Sequence, residues 1–328
     1  MSLHLFALLR HALVALPLLF LGLHAVGQPA PEVVVVPQKV SPHGYAVLGE
    51  AGMASAQNKG FMSNAGFVVT SDGVVVFDAL GTPALGRALL AAIAKITPQP
   101  VRRVIVSHYH ADHVYGLQAL KAAGADIWAY RKGELYFTSG VADERLKQRR
   151  ADLFPWVDEK TVVVKPDLWL DGDTSFRMGG LTFRLVFSEG AHSPEDMMMF
   201  VEEDRLLYAG DLIFAGRVPF VGNADSKGWL KAMDKMIALR PAVVVPGHGP
   251  VSRDVERDLA HEGAVPLDPE ALDPEVLLEE IALVEAGGDL EGVDVDARIE
   301  LHLDPRRRVA GLAVPRRLRL SVDEVLRI

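Results

Sequence analysis

The chain has 328 residues and is 49% hydrophobic, enough to bury a large core in one or two domains. It contains no cysteine, which excludes disulfides and thiolate chemistry and suits an exported protein that avoids oxidisable thiols. A net charge of -9 argues against a nucleic-acid partner, because phosphate backbones need a basic stripe.

Residues 1–27 read as a secretory signal. Arg10 and His11 precede an apolar stretch over 12–23, and Ala25-Val26-Gly27 offers small residues for cleavage before Gln28. The stretch is shorter than the ~20 apolar residues of a spanning helix, with an uncleaved anchor as the alternative. Removal of the signal implies a protein in the periplasm or secreted, without stable membrane insertion. A domain over 28–262 follows. It opens on a proline-flanked linker over 29–41, in which Val33-Val34-Val35-Val36 predicts an edge strand. Phe67-Val68-Val69 and Val74-Val75-Val76-Phe77, separated by Thr70-Ser71-Asp72-Gly73, predict a hairpin. Thr82-Pro83 predicts a helix start, with threonine as cap and an apolar face of Leu85, Leu89, Ile93 and Ile96.

Residues 101–107 predict a strand, 114–123 a helix stopped by Gly124, and 127–130 another strand, together a βαβ unit. Residues 132–160 read as a charged helical segment. It is either a solvated helix or a lid that turns Phe154 and Trp156 toward a pocket. Further strands are predicted at 162–164, 174–176, 181–187 and 242–245. The run Met197-Met198-Met199-Phe200-Val201 reads as a buried strand rather than a methionine metal site. Residues 226–239 predict an amphipathic helix with Trp229, Leu230, Met233, Met236 and Ile237 on one side. No aromatic residue follows Trp229. Residues 263–328 therefore read as an atypical tail: an accessory segment, a disordered end, or translation from a shifted frame.

Chemistry gathers where the strands end. Val104-Ile105-Val106 is followed by His108-Tyr109-His110-Ala111-Asp112-His113, an H-x-H-x-D-H cluster with four potential metal ligands. His192, Asp211 and His248 come at or just beyond the ends of later apolar stretches, each close to glycine. Neutral imidazole and carboxylate oxygen suit Zn²⁺. A tetrahedral site for one ion uses three or four ligands, so seven point to two ions sharing a carboxylate. His4, His11 and His24 go with the signal and His261 and His302 with the tail, so none of these is read as a ligand. Arg217 is a candidate for bidentate binding of a substrate carboxylate, or else for a surface salt bridge.

This order of motifs resembles the metallo-β-lactamase-fold hydrolase superfamily, from about Asn64 to Pro250. The resemblance implies an α/β protein, an αββα sandwich of two mixed β-sheets flanked by helices. It implies that His108, His110 and His192 hold one metal, that Asp112, His113 and His248 hold the other, and that Asp211 bridges them. Asp78 would pack behind the site. Asn64-Ala65-Gly66-Phe67-Val68, the run from Gly73 to Asp78 and the run from Gly210 to Gly216 are similar to the secreted SoxH-like branch. The classical β-lactamases of this fold usually carry cysteine or serine where Asp211 stands, which implies the broader hydrolases such as thioesterases and lactonases.

The implied activity is that of a periplasmic dinuclear zinc hydrolase with two Zn²⁺ per chain. A metal-bridging hydroxide, from water ionised near pH ~7, would cleave a small ester, thioester or lactam/lactone. Asp112 would accept a hydrogen bond from the nucleophile and move its proton. The alternatives are a mononuclear iron persulfide dioxygenase on the same fold and a non-catalytic metal-binding protein. The only implied partner is a small-molecule substrate, and the oligomeric state is left open. The family usually continues with aromatic-bearing helices where this chain has none, which favours the shifted-frame reading of the tail.

Overall fold

The computed structural model describes residues 33–188, 190–222 and 224–254, together with the strand backbones at 298–302, 308–309, 312–313 and 317–321. The signal expected over 1–27 and most of the tail lie outside the described residues. Among the described residues, no helix is long and apolar enough to cross a membrane.

Two mixed sheets account for the strands up to residue 248. The first runs in spatial order through β1 (Gln38–Lys39), β2 (Gly44–Val47), β3 (Ala65–Thr70), β4 (Gly73–Phe77), β5 (Val101–Ile105), β6 (Asp126–Tyr130) and β7 (Leu168–Leu170). Its first four strands pair antiparallel and its last four parallel. The second sheet is formed by β8 (Thr174–Met178), β9 (Leu181–Ser188), β10 (Asp196–Val201), β11 (Leu206–Phe214) and β12 (Val243–His248). Only β11 and β12 are parallel there.

Strand alternation creates the layers. Val74 and Val76 of β4 join one core with Leu85, Leu89 and Ile93 of α1 (Pro83–Ile96) and Leu117 and Leu120. Val75 and Phe77 point the other way, into a core shared with Met197, Met199, Leu206 and Tyr208 of the second sheet. The opposite faces of β10 and β11, through Met198, Phe200 and Leu207, pack on Met233 and Met236 of the 226–239 helix. The result is the expected αββα sandwich.

The predicted cap is present, with Thr82 Oγ1 accepting from the Leu85 amide at 3.2 Å. The predicted hairpin is β3 and β4, turning at Ser71-Asp72. The predicted helix over 114–123 is instead two short ones, α2 (Ala111–Val114) and α3 (Leu117–Ala122). They break at Gly116, whose backbone lies so close to Ala79 that a Cβ would meet its carbonyl oxygen at 1.8 Å. The segment after β6 holds a 3-10 turn (Arg131–Gly133), then α4 (Glu134–Thr138) and α5 (Val141–Asp152). α5 buries only Ala142 and Leu146. Phe154 is exposed, and the Trp156 indole donates to the Ala56 carbonyl at 2.8 Å.

Four further expectations are corrected. Residues 33–36 form no strand: Val35 is buried while Val34 and Val36 face solvent, and pairing begins only at β1. Residues 162–164 form no strand either, because β7 takes the free edge of β6 and the Val162 amide donates to the Gln118 side chain instead. On α6 (Ser226–Leu239), Leu230 and Ile237 are 59% and 52% exposed. The buried stripe is narrower than the sequence suggests, and Ile96 at the end of α1 is likewise exposed. In the tail, Arg298–His302 pairs with Arg317–Ser321, and Arg308–Val309 with Leu312–Ala313.

Candidate metal centre

β4 and β5 are parallel neighbours, so their carboxyl ends lie side by side. Asp78 follows β4 with φ at +60°, a left-handed conformation that aspartate tolerates better than most residues. Its carboxylate accepts from the Ser107 amide at 2.7 Å and the Ser107 hydroxyl at 2.8 Å, and its Oδ2 lies 2.8 Å from His113 Nδ1. The Ser107 hydroxyl has spent its proton on Asp78, so its oxygen accepts from His108 Nδ1, 2.9 Å away. His192 Nδ1 donates to the Phe220 carbonyl at 3.0 Å and His248 Nδ1 to the Met62 carbonyl at 2.8 Å.

These contacts set the tautomers. In its neutral form each of the four rings keeps its proton on Nδ1 and turns the lone pair of Nε2 inward. His110 presents Nδ1, which lies 2.8 Å from His108 Nε2 and 2.9 Å from His192 Nε2.

Asp211, within β11, joins the two halves. Its Oδ2 lies 3.6 Å from His108 Nε2, 3.4 Å from His192 Nε2 and 3.3 Å from His248 Nε2, and its Oδ1 lies 3.0 Å from His113 Nε2. Asp112 Oδ2 stands 3.5 Å from His113 Nε2 and 3.4 Å from His248 Nε2. Gly247 makes room for this packing, since a Cβ there would fall 2.0 Å from Asp211 Oδ1. Asn64 ties the start of β3 to the same turn, its side-chain amide donating to the carbonyls of Pro246 and Gly249.

All seven expected ligands are therefore brought together in two groups, His108, His110, His192 and Asp211, and Asp112, His113 and His248. A divalent cation fits them. His113 Nε2 and Asp211 Oδ1 are both buried and, 3.0 Å apart, have no hydrogen-bond partner besides each other. Ligands on a tetrahedral Zn²⁺ at ~2.0–2.1 Å stand about 3.3 Å apart, as the contacts of Asp211 Oδ2 do.

The electrostatics agree. Burial holds His108 well below the ordinary imidazole range and His110 down at about 3, and it also lowers His192. Burial alone would raise Asp211, but His113, His248 and His108 hold it well below the usual carboxylate range. His113 goes the other way. Burial opposes its charge, yet Asp211, Asp112 and Asp78 lift it well above the usual value. Three carboxylates that favour a proton at this point favour a cation there for the same reason.

Arg217 lies outside the ring of ligands. Its Nη1 is 3.4 Å from His248 Nδ1, the nitrogen turned away from Asp112 and Asp211, and 3.5 Å from the Gly52 carbonyl. Two supporting residues escape the sequence reading. Glu195, 3% exposed, accepts from the Tyr109 amide at 3.1 Å through Oε1, while its buried Oε2 has no partner; burial pushes it up to about 8. Asp196 accepts from the Ser193 amide and hydroxyl at 2.8 and 2.7 Å, and burial pushes it up to about 7. The available signal is an acidic pair where an otherwise apolar strand begins, three and four residues after His192.

A family profile described as the Metallo-beta-lactamase superfamily matches residues 58–248, more than half of the chain. The chain belongs to this superfamily. It is 25% identical over 232 residues to a metallo-beta-lactamase type 2 of Elizabethkingia meningoseptica, covering 69% of this chain and 83% of that protein. It is 26% identical over 216 residues to a linear primary-alkylsulfatase of Pseudomonas sp. (strain ATCC 19151), covering 55% of this chain. The match spans only 40% of the alkylsulfatase's length. Among solved structures, a metallo-beta-lactamase from Pontibacter korlensis superposes with a TM-score of 0.56 at 21% identity, over 70% of this chain and 98% of that one. That likeness concerns the fold. The superfamily binds metal ions, and its members include hydrolases.

Proposed function

We propose that this protein is an exported dinuclear zinc hydrolase that cleaves a small ester, thioester or lactam/lactone. One observation carries the reading: Asp211 reaches the histidines of both groups, with Oδ2 toward His108, His192 and His248 and Oδ1 toward His113. His108, His110 and His192 would hold one ion, Asp112, His113 and His248 the other, and Asp211 would be shared. A bound zinc pair supplies Lewis-acid polarisation of the substrate and water ionised near neutral pH.

The chain's own residues do the rest. Asp78, Ser107 and the Met62 and Phe220 carbonyls lock the imidazoles by their outer nitrogens, so that no reorganisation is needed during reaction. Asp112 is the least buried of the seven, with one oxygen directed at His113 and His248. It is placed to accept a hydrogen bond from the nucleophile and carry its proton. Arg217, half-buried beside His248, is the proposed partner for a substrate carboxylate. The SoxH-like likeness of the stretches around Asn64, Asp78 and Asp211 supports export to the periplasm or beyond.

Metal analysis of the purified protein, joined to assays on a lactam, a glutathione thioester, a lactone and an alkyl sulfate ester, tests the reading. Two zinc ions per chain and turnover of one substrate class are expected; the sulfate ester is included because of the alkylsulfatase match. One iron per chain with oxygen consumption on a persulfide would select the dioxygenase instead. Full metal loading without turnover on the whole panel would favour a binding protein.

A further inference from the structure

We infer that the metal centre opens onto an apolar subsite built on Phe220, and that the substrate carries an apolar chain seated against it. The inference rests on the hydrolase reading and names the class of substrate. Phe220 lies in the connection between β11 and α6, and its ring stands edge-on to two ligands of the same ion. The centroids are 5.8 Å from His110 at 76° and 6.3 Å from His192 at 69°. An aromatic ring in such a place could simply shield the ligands, yet Phe220 is 39% exposed and its neighbour Val221 63% exposed. Apolar surface is thus held in water directly beside a buried polar centre.

The placement is built by the chain. The Phe220 carbonyl accepts from His192 Nδ1, and the Asp225 amide donates to the Ala191 carbonyl, so the stretch from Phe220 to Asp225 is pinned at both ends to the His192 loop. The Ala224 amide closes a turn onto the Val221 carbonyl. Gly222 allows the chain to fold across the ring, because a Cβ there would fall 2.5 Å from Phe220 Cζ. The run Val218-Pro219-Phe220-Val221-Gly222 carries no charge and no side-chain hydrogen-bonding group. A polar or charged substituent would find no partner on this wall, whereas an alkyl or acyl chain would exclude water from it.

The test uses the full-length protein loaded with cobalt(II) and a series of straight-chain thiols from ethanethiol to octanethiol. Binding is read from the thiolate-to-cobalt absorption, independently of turnover. In the native protein the affinity is expected to rise about two- to fourfold per methylene over the first additions. In Phe220→Ala the backbone carbonyl that holds His192 is retained, so cobalt uptake persists while the dependence on chain length flattens. Phe220→Leu restores most of it. A flat series in the native protein overturns the inference, and so does an undiminished slope in Phe220→Ala. If Phe220→Ala takes up no cobalt, Val221→Asp decides: a reduced slope supports the subsite and an unchanged slope refutes it. A native protein that binds no cobalt removes both this inference and the metal reading. A steep series without turnover on the substrate panel removes only the hydrolase reading.

Discussion

Asp78 Oδ2 lies 2.8 Å from Nδ1 of His113, and the opposite nitrogen of that ring is 3.0 Å from Asp211. A residue that touches no candidate metal position thereby orients one that does, and the same carboxylate fixes His108 through Ser107. Asp78→Ala removes the acceptor of three buried groups at once. Metal affinity is expected to fall about 10- to 100-fold, measured by competition with a chromophoric chelator. An unchanged affinity would show that the rings are held by packing alone.

Asp211→Ala is expected to abolish tight binding at both ions and nearly all activity, since every histidine of the cluster except His110 lies within 3.6 Å of one of its oxygens. Gly247→Ala should resemble it in milder form, because the new methyl occupies the space of Asp211 Oδ1. Metal stoichiometry by atomic emission after dialysis checks both. Full activity in Asp211→Ala would refute the shared-carboxylate assignment.

The order of ligands and the identity of the strands that carry them are legible in the sequence because both are local. Val104-Ile105-Val106 before His108 and Val243-Val244-Val245 before His248 announce strands that stop at a ligand. Pairing is not local, and there the reading fails. Val162-Val163-Val164 has strand composition but no free edge, since Leu168–Leu170 occupies it. Leu230 and Ile237 have helical spacing but sit beyond the strip of α6 that the second sheet covers. Glu195 is invisible for a related reason: the Tyr109 amide that it accepts from belongs to the loop after β5, far away in sequence and on the other sheet.

Leu89 of α1 is fully buried against the first sheet and lies in a core separate from the ligands. Leu89→Ala is expected to cost about 2–5 kcal/mol of stability while leaving metal stoichiometry unchanged. Urea unfolding and metal analysis on the same sample check this, and loss of metal in a folded variant would show that the helix layer also shapes the site.

Glu195 makes a prediction in pH. Burial raises it in the folded protein from 4.5 to about 8. Between those values the unfolded chain has released its proton while the folded chain still holds it. Rising pH therefore favours unfolding across this window, by at most about 1.4 kcal/mol per pH unit from this group. Glu195→Gln keeps an oxygen for the Tyr109 amide and removes the titration. Asp196, raised to about 7 with the same sign and itself one cause of the Glu195 shift, remains in both proteins, so most of its own titration cancels in the difference. In chelator-treated protein, the melting temperature of the glutamine variant should gain on the native one from pH 5 to pH 8 and level off above. A gap that stays constant across that range would mean that Glu195 is ionised in the folded protein, with water or a cation reaching its second oxygen.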